Sequence, residues 1–205
     1  MKTLVILSSI LGEQSHSSTL ARHALDRIRQ ADPQAEVTVR DLGAEPVPYF
    51  DAATAGALFT AAEARTPEQR RIVALSDELV AELFAADRVV FAVPIYNFGV
   101  PAQLKSYFDL VARAGVTFRY TAEGPQGLVQ GKQATVLYAR GGVAEGTPLD
   151  MVTPFLRTFL GFIGMKDIEF VAAEGLKMGD AARSRGLSLA RDRIDALFAP
   201  ALQAA

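Results

Sequence analysis

The chain contains no cysteine. This excludes disulfide cross-links, thiolate nucleophiles and cysteine-held iron–sulfur clusters, and it agrees with a reducing cytoplasm, where the protein is expected to work. A strong charge of one sign is also lacking: 21 Lys and Arg stand against 23 Asp and Glu, for a net charge of −2. Neither a nucleic-acid footprint nor a polybasic membrane patch is indicated. No apolar run approaches the ~20 residues of a membrane span. The N-terminal apolar stretch, residues 1–7, is too short for a signal peptide and has no small-residue cleavage site. Histidine is scarce, His16 and His23 only, and neither metal-ligand spacing nor a nucleophile elbow occurs. Repeats, linkers and low-complexity tracts are missing. What is present is 205 residues, half of them hydrophobic, expected to form one domain over 1–205 with a full core.

Five short segments have the composition of buried or half-buried strands: residues 4–7, 37–40, 88–93, 134–139 and 168–172. Between them apolar residues recur at helical spacing, as in Leu20, Ala24 and Ile28, or Leu187, Ala190, Ile194 and Leu197. Thr66-Pro67-Glu68-Gln69 carries the signals of a helix start: an N-cap, a proline at the first helical position and an acid in the first turn. A further amphipathic segment spans residues 101–113, with Lys105 and Asp109 as an i,i+4 pair. Residues 116–121, followed by Gly124-Pro125-Gln126-Gly127, read as a hairpin-like insertion. Residues 41–64 are broken by Pro46, Pro48 and Gly56 yet hold Tyr49, Phe50, Leu58 and Phe59, and both a lid and a covering loop fit them. Residues 153–164 are apolar on more than one face, which points to burial against a partner as well as against the chain's own core. Strands alternating with helices give an α/β fold. The simplest form is a doubly wound five-stranded parallel sheet in the flavodoxin-like order 2-1-3-4-5, with helices on both faces.

In that order the loops after strands 1, 3 and 4 meet at the carboxyl edge of the sheet, where ligands bind in open α/β folds. The first, residues 8–19, is rich in hydroxyls and opens a helix. Free N–H groups and the helix dipole favour an anion there, and Ser9, Ser15 and Ser17 add hydroxyl donors. The loop is neither a Walker A sequence nor Gly-x-Gly-x-x-Gly. Helix capping by Ser17 or Ser18 accounts for one serine but not for all of them. The second loop holds Tyr96, Asn97 and Phe98. An aromatic pair is costly to leave in water, and an amide can both donate to and accept from a flat, partly polar ring. Packing of the two aromatics under a loop is the alternative. The third, Arg140-Gly141-Gly142-Val143, lets backbone approach a ligand closely. The three together suit the phosphate, the ring face and the ring edge of one molecule.

Several stretches carry a specific resemblance: Ser8-Ser9-Ile10-Leu11; Pro94-Ile95-Tyr96-Asn97-Phe98; Gln103-Leu104-Lys105; the long block from Tyr107 to Tyr120; and Thr158-Phe159-Leu160-Gly161-Phe162-Ile163-Gly164. These resemble the FMN-dependent NADH azoreductases, also called FMN-dependent NADH:quinone oxidoreductases, over about residues 2–175. The resemblance implies a flavodoxin-like homodimer with one non-covalent FMN per subunit near the interface. Carried over residue by residue, it assigns the phosphate to Ser9, Ser15, His16 and Ser17. It assigns the ring side to Ile95, Tyr96, Asn97 and Phe98, and the last loop to Ala139, Arg140, Gly141 and Gly142. Many members have serine where this chain has Ala139, so one hydroxyl contact is lost. Phe59, Tyr120 and Phe162 match positions of the substrate-pocket wall. Some members carry a basic residue at the Phe59 position, and the donor stays open between NADH and NADPH.

With no clustered acid–base pair in the sequence, the hard chemistry is expected to belong to the cofactor. The resemblance then implies hydride transfer from NAD(P)H to flavin N5, followed by two-electron reduction of a quinone or azo compound in the same place. One pocket used in turn by donor and acceptor predicts ping-pong kinetics. For His16, a bond to a phosphate oxygen competes with exposure to solvent in a loop.

Overall fold

The computed structural model describes residues 1–199. In chain order its main elements are β1 (Lys2–Leu7), α1 (His16–Ala31), β2 (Glu36–Asp41), α2 (Ala52–Phe59), α3 (Pro67–Ala85), β3 (Arg88–Pro94), α4 (Ala102–Val111), β4 (Phe118–Thr121), β5 (Gly124–Gly127), β6 (Gln133–Ala139), α5 (Val152–Ile163), β7 (Asp167–Ala173) and α6 (Asp180–Leu197). The sheet has the order β2-β1-β3-β6-β7, and every pairing in it is parallel. With the antiparallel hairpin β4–β5 set aside, this is the expected order 2-1-3-4-5. Among the described residues no helix is long and apolar enough to cross a membrane.

The central strands are nearly continuous runs of apolar residues because both of their faces are covered, as parallel sheets require. Val5, Val90 and Leu137 pack with Leu20, Ala24 and Ile28 of α1 and with Ala190 and Ile194 of α6. Their alternates Leu4, Ile6, Phe91 and Val136 pack on the other side with Leu79 and Leu83 of α3, Leu104 and Phe108 of α4, and Leu156 and Leu160 of α5. β2, at the edge, is only partly buried, in keeping with its alternating sequence.

Local signals set several boundaries. The Thr66 side chain accepts from the Gln69 N–H while the Gln69 side chain accepts from the Thr66 N–H, a reciprocal capping box with Pro67 at the first helical position. Lys105 and Asp109 pair at 2.6 Å. α1 begins at His16 with Ser15 at the N-cap, so neither Ser17 nor Ser18 caps it; both lie inside the first turn. α4 stops at Val111, short of residue 113. The Arg113 N–H goes to Thr117 Oγ1, and Gly115, at φ 79°, turns the chain toward the hairpin. Residues 41–64 are more ordered than their sequence implies. The Asp51 carboxylate accepts from the Thr54 N–H at 2.8 Å and caps α2, and a short 3-10 turn follows at Ala62–Ala64.

The hairpin is fastened to the end of α5 by backbone as well as by the packing of Phe118 on Phe162. The Val129 N–H donates to Ile163 O at 2.9 Å. Gly164 ends α5 at φ 115°, a left-handed conformation that glycine adopts without strain. Gly127 lies so close beneath it that a Cβ at 127 would stand 2.2 Å from Gly164 N.

Candidate cofactor-binding site

A cavity of about 240 Å³ opens at the carboxyl ends of β1, β3 and β6. This is where the helices following β1 and β3 leave toward opposite faces of the sheet, the position at which open α/β folds place ligands. Leu11, Gln14, Ser15 and His16 line it from the first loop, Pro94, Ile95 and Tyr96 from the second, and Ala139, Arg140 and Gly141 from the third. A fourth loop, after β7, adds Leu176 and Lys177. No carboxylate takes part in the lining.

The four loops are joined side by side. Ser8 Oγ donates to Ala92 O at 2.8 Å, and Ser9 Oγ lies 3.0 Å from the Tyr96 hydroxyl. The Ile95 N–H donates to Ala139 O at 2.9 Å. The Gly141 and Gly142 carbonyls accept from the Lys177 and Gly175 N–H groups, both at 2.9 Å. The first loop has a further support: a Cβ on Gly43 would lie 2.1 Å from Ser9 O, so only glycine lets the chain after β2 pass there.

Ser9, Ser15 and Ser17 are buried, and the hydroxyls of Ser15 and Ser17 lie 2.9 Å apart. Ser15 and Ser17 stand at the start of α1, whose first N–H groups have no partner within the helix, while Ser9 follows β1 directly; of the three, Ser15 lines the cavity and Ser9 and Ser17 lie behind it. His16 is the first residue of that helix, half-buried and part of the wall, so it is not a solvated loop histidine. This is a donor set without opposing negative charge, and it fits a phosphate.

Asn97 and Phe98 are exposed at the mouth and do not line the cavity. Their φ angles are 49° and 67°, and Tyr96 and Gly99 exchange N–H···O bonds of 3.1 and 2.9 Å across them. Two successive positive φ values closed in this way are the mark of a type I′ turn. Asparagine tolerates that conformation, whereas a non-glycine residue such as Phe98 seldom adopts it. Replacing Asn97 by alanine is therefore expected to lower thermal stability by about 1 kcal/mol relative to Asn97→Gly. Calorimetry of the two variants checks this, and equal melting temperatures would contradict the turn geometry.

Arg140 lines the cavity, but its charge is engaged elsewhere. Its guanidinium is buried between Asp150, at 4.0 Å, and Glu174, at 3.8 Å. Glu174 also accepts from the Ala144 and Glu145 N–H groups, which fixes the chain beyond the glycine turn. Burial, reinforced by Glu145 and Glu174, pushes the neighbouring Tyr138 phenol up, away from neutrality, so it is a poor proton carrier.

Phe59, Tyr120 and Phe162 lie apart from this cavity. Phe118 joins two of them, edge-on to Tyr120 at 5.5 Å and 4.4 Å from Phe162. Phe59, at the end of α2, is 83% exposed. Leu11, Gln14, Pro94, Leu176 and Lys177 also line the cavity and were not expected from the sequence as site residues. The last two follow the final strand at the same edge, and that position was their only signal.

Comparison with known proteins agrees with this geometry. A family model described as the flavodoxin-like fold matches residues 1–198. A protein of Bordetella parapertussis named FMN-dependent NADH:quinone oxidoreductase is 66% identical, covering 99% of this chain and 98% of its own. A protein of the same name from Alcanivorax borkumensis is 50% identical over 95% of this chain and 98% of its own. The crystal structure of an azoreductase from Bacillus anthracis str. Sterne superposes with a TM-score of 0.88 at 30% identity, covering 97% of this chain and 98% of that one.

Proposed function

The chain belongs to the family of FMN-dependent NADH:quinone oxidoreductases, and from that premise we propose that it binds FMN in the cavity at the carboxyl edge and reduces quinones and azo compounds at the expense of NADH. The observation that carries the reading is the acid-free cavity lined by buried Ser15, by His16 at the start of α1 and by Tyr96 of the aromatic turn. Ser9, Ser15, Ser17, His16 and the first N–H groups of α1 would hold the phosphate. Ile95, Tyr96, Asn97 and Phe98 would serve the ring side. The N–H groups of Gly141 and Gly142 would serve the ring edge and favour negative charge there. FMN, when bound, would supply the two-electron redox chemistry between nicotinamide and acceptor. The protein orients the reactants and excludes water.

A homodimer completes the site. At about 240 Å³ the cavity falls below the ~300–1,000 Å³ usual for a small-molecule pocket, in keeping with a site that a second chain completes. Phe59, Phe98 and Tyr120 are exposed and available to a partner surface. In this arrangement Tyr120 and Phe162 of one subunit wall the ring of the other, and Phe59 borders the entrance. A cysteine-free chain that draws on NADH suits the cytoplasm.

Donor and acceptor use one opening in turn, which gives ping-pong kinetics. Double-reciprocal plots at several NADH concentrations should be parallel, and high quinone should inhibit competitively against NADH. Intersecting lines would overturn the shared opening. Light scattering at micromolar protein should report a dimer, and a monomer with full quinone reductase activity would overturn the shared site.

A further inference from the structure

The serine corner has donors but no counter-charge for a dianion. Among the residues lining the cavity, Arg140 and Lys177 alone carry a permanent positive charge. The Arg140 guanidinium is enclosed by Asp150 and Glu174. Lys177 is exposed, and the carboxylates nearest to it in sequence, Glu174 and Asp180, pair with Arg140 and Arg183 instead. Its backbone N–H donates to Gly141 O at 2.9 Å, which pins the root of the side chain beside the glycine turn. From there the stem crosses the face of Gly141: a Cβ at 141 would stand 3.2 Å from Lys177 Cβ and 2.9 Å from its Cγ. Gly141 thus leaves room for the stem, and Lys177 lines the same cavity as Ser15 and His16.

We propose that Lys177 is the cation of the phosphate corner and that its ammonium group makes this protein select FMN over unphosphorylated riboflavin. The inference rests on the serine loop being the phosphate site and adds the charge which that loop lacks. An ammonium on a flexible stem serves as a point charge for phosphate without requiring a fixed fork geometry.

The test titrates flavin-free protein with FMN and with riboflavin, followed by fluorescence, for wild type, Lys177→Met and Lys177→Arg at low and high salt. Methionine keeps an unbranched stem over Gly141 and removes the charge. Lys177→Met should weaken FMN binding about tenfold or more, leave riboflavin within about twofold, and flatten the salt dependence of FMN binding. Lys177→Arg should recover most of the loss, and the visible spectrum of bound flavin should be the same in all three proteins. An equal loss for both flavins would make Lys177 a wall residue and overturn the assignment. A wild type that prefers FMN, together with a Lys177→Met variant that keeps that preference, would overturn it while sparing the serine loop. A wild type that binds both flavins equally would remove the phosphate role of the loop itself, and this inference with it.

Discussion

Replacing Ser9 and Ser17 together by alanine should weaken FMN binding about a hundredfold or more while leaving the fold intact by circular dichroism. Both side chains are buried, so bulk water cannot stand in for a lost hydroxyl. A hydrogen bond to a charged group is worth about 1.5–3 kcal/mol, and two of them give about 3–6 kcal/mol, or two to four orders of magnitude in affinity. Neither hydroxyl holds up the core: Ser9 Oγ meets the Tyr96 hydroxyl and accepts from the Leu11 N–H of its own loop, and Ser17 Oγ meets Ser15 Oγ. Tyr96→Phe is the control, since it removes the side-chain partner of Ser9 and leaves the serine and its bond from the Leu11 N–H in place. An unchanged dissociation constant in the double variant would take the phosphate away from this loop.

Gly127→Ala should destabilise the protein by about 2–3 kcal/mol, at the upper end of the usual cost of overpacking. For a chain of this size that is a fall in melting temperature of roughly 5–10 °C. The added methyl would meet the backbone of Gly164 at 2.2 Å, and backbone cannot rotate aside as a flexible side chain can. The contact joins the hairpin that bears Tyr120 to the helix that bears Phe162, so reduction of bulky acceptors should suffer as well. Gly56→Ala is the counterpart. Its Cβ would enter open space inside α2, and it should raise stability by about 0.5–1 kcal/mol. Calorimetry reads both, and a Gly127→Ala protein as stable as wild type would refute the close contact.

The sheet was legible because apolar runs in strands 88–94 and 133–139 admit little else, and the order followed from the alternation of strand and helix. The serine loop was legible by composition. The Asn97-Phe98 stretch was legible as a turn but not in its shape, since nothing in the sequence announces a left-handed phenylalanine. Arg140 was placed at the site on the strength of its neighbours. Its side chain turns instead to carboxylates brought in by α5 and the end of β7, a pairing that only tertiary structure creates. α2 was hidden by the prolines before it and by Gly56 within it, and it is recovered by one aspartate cap. Lys177 was missed because its loop has no motif; its relevance comes from parity, as the chain leaves every strand of a parallel sheet at the same end.

The lateral bonds from Ser9 to Tyr96, from Ile95 to Ala139 and from Lys177 to Gly141 have a consequence for how this end of the molecule can diversify. No loop here is a free module. Lengthening one of them pulls on the carbonyl or hydroxyl of its neighbour, and that displacement passes along the row. Inheritance at this edge therefore acts on the row as a whole, and new substrates are more readily accommodated by the aromatic side chains outside it, which share none of those bonds.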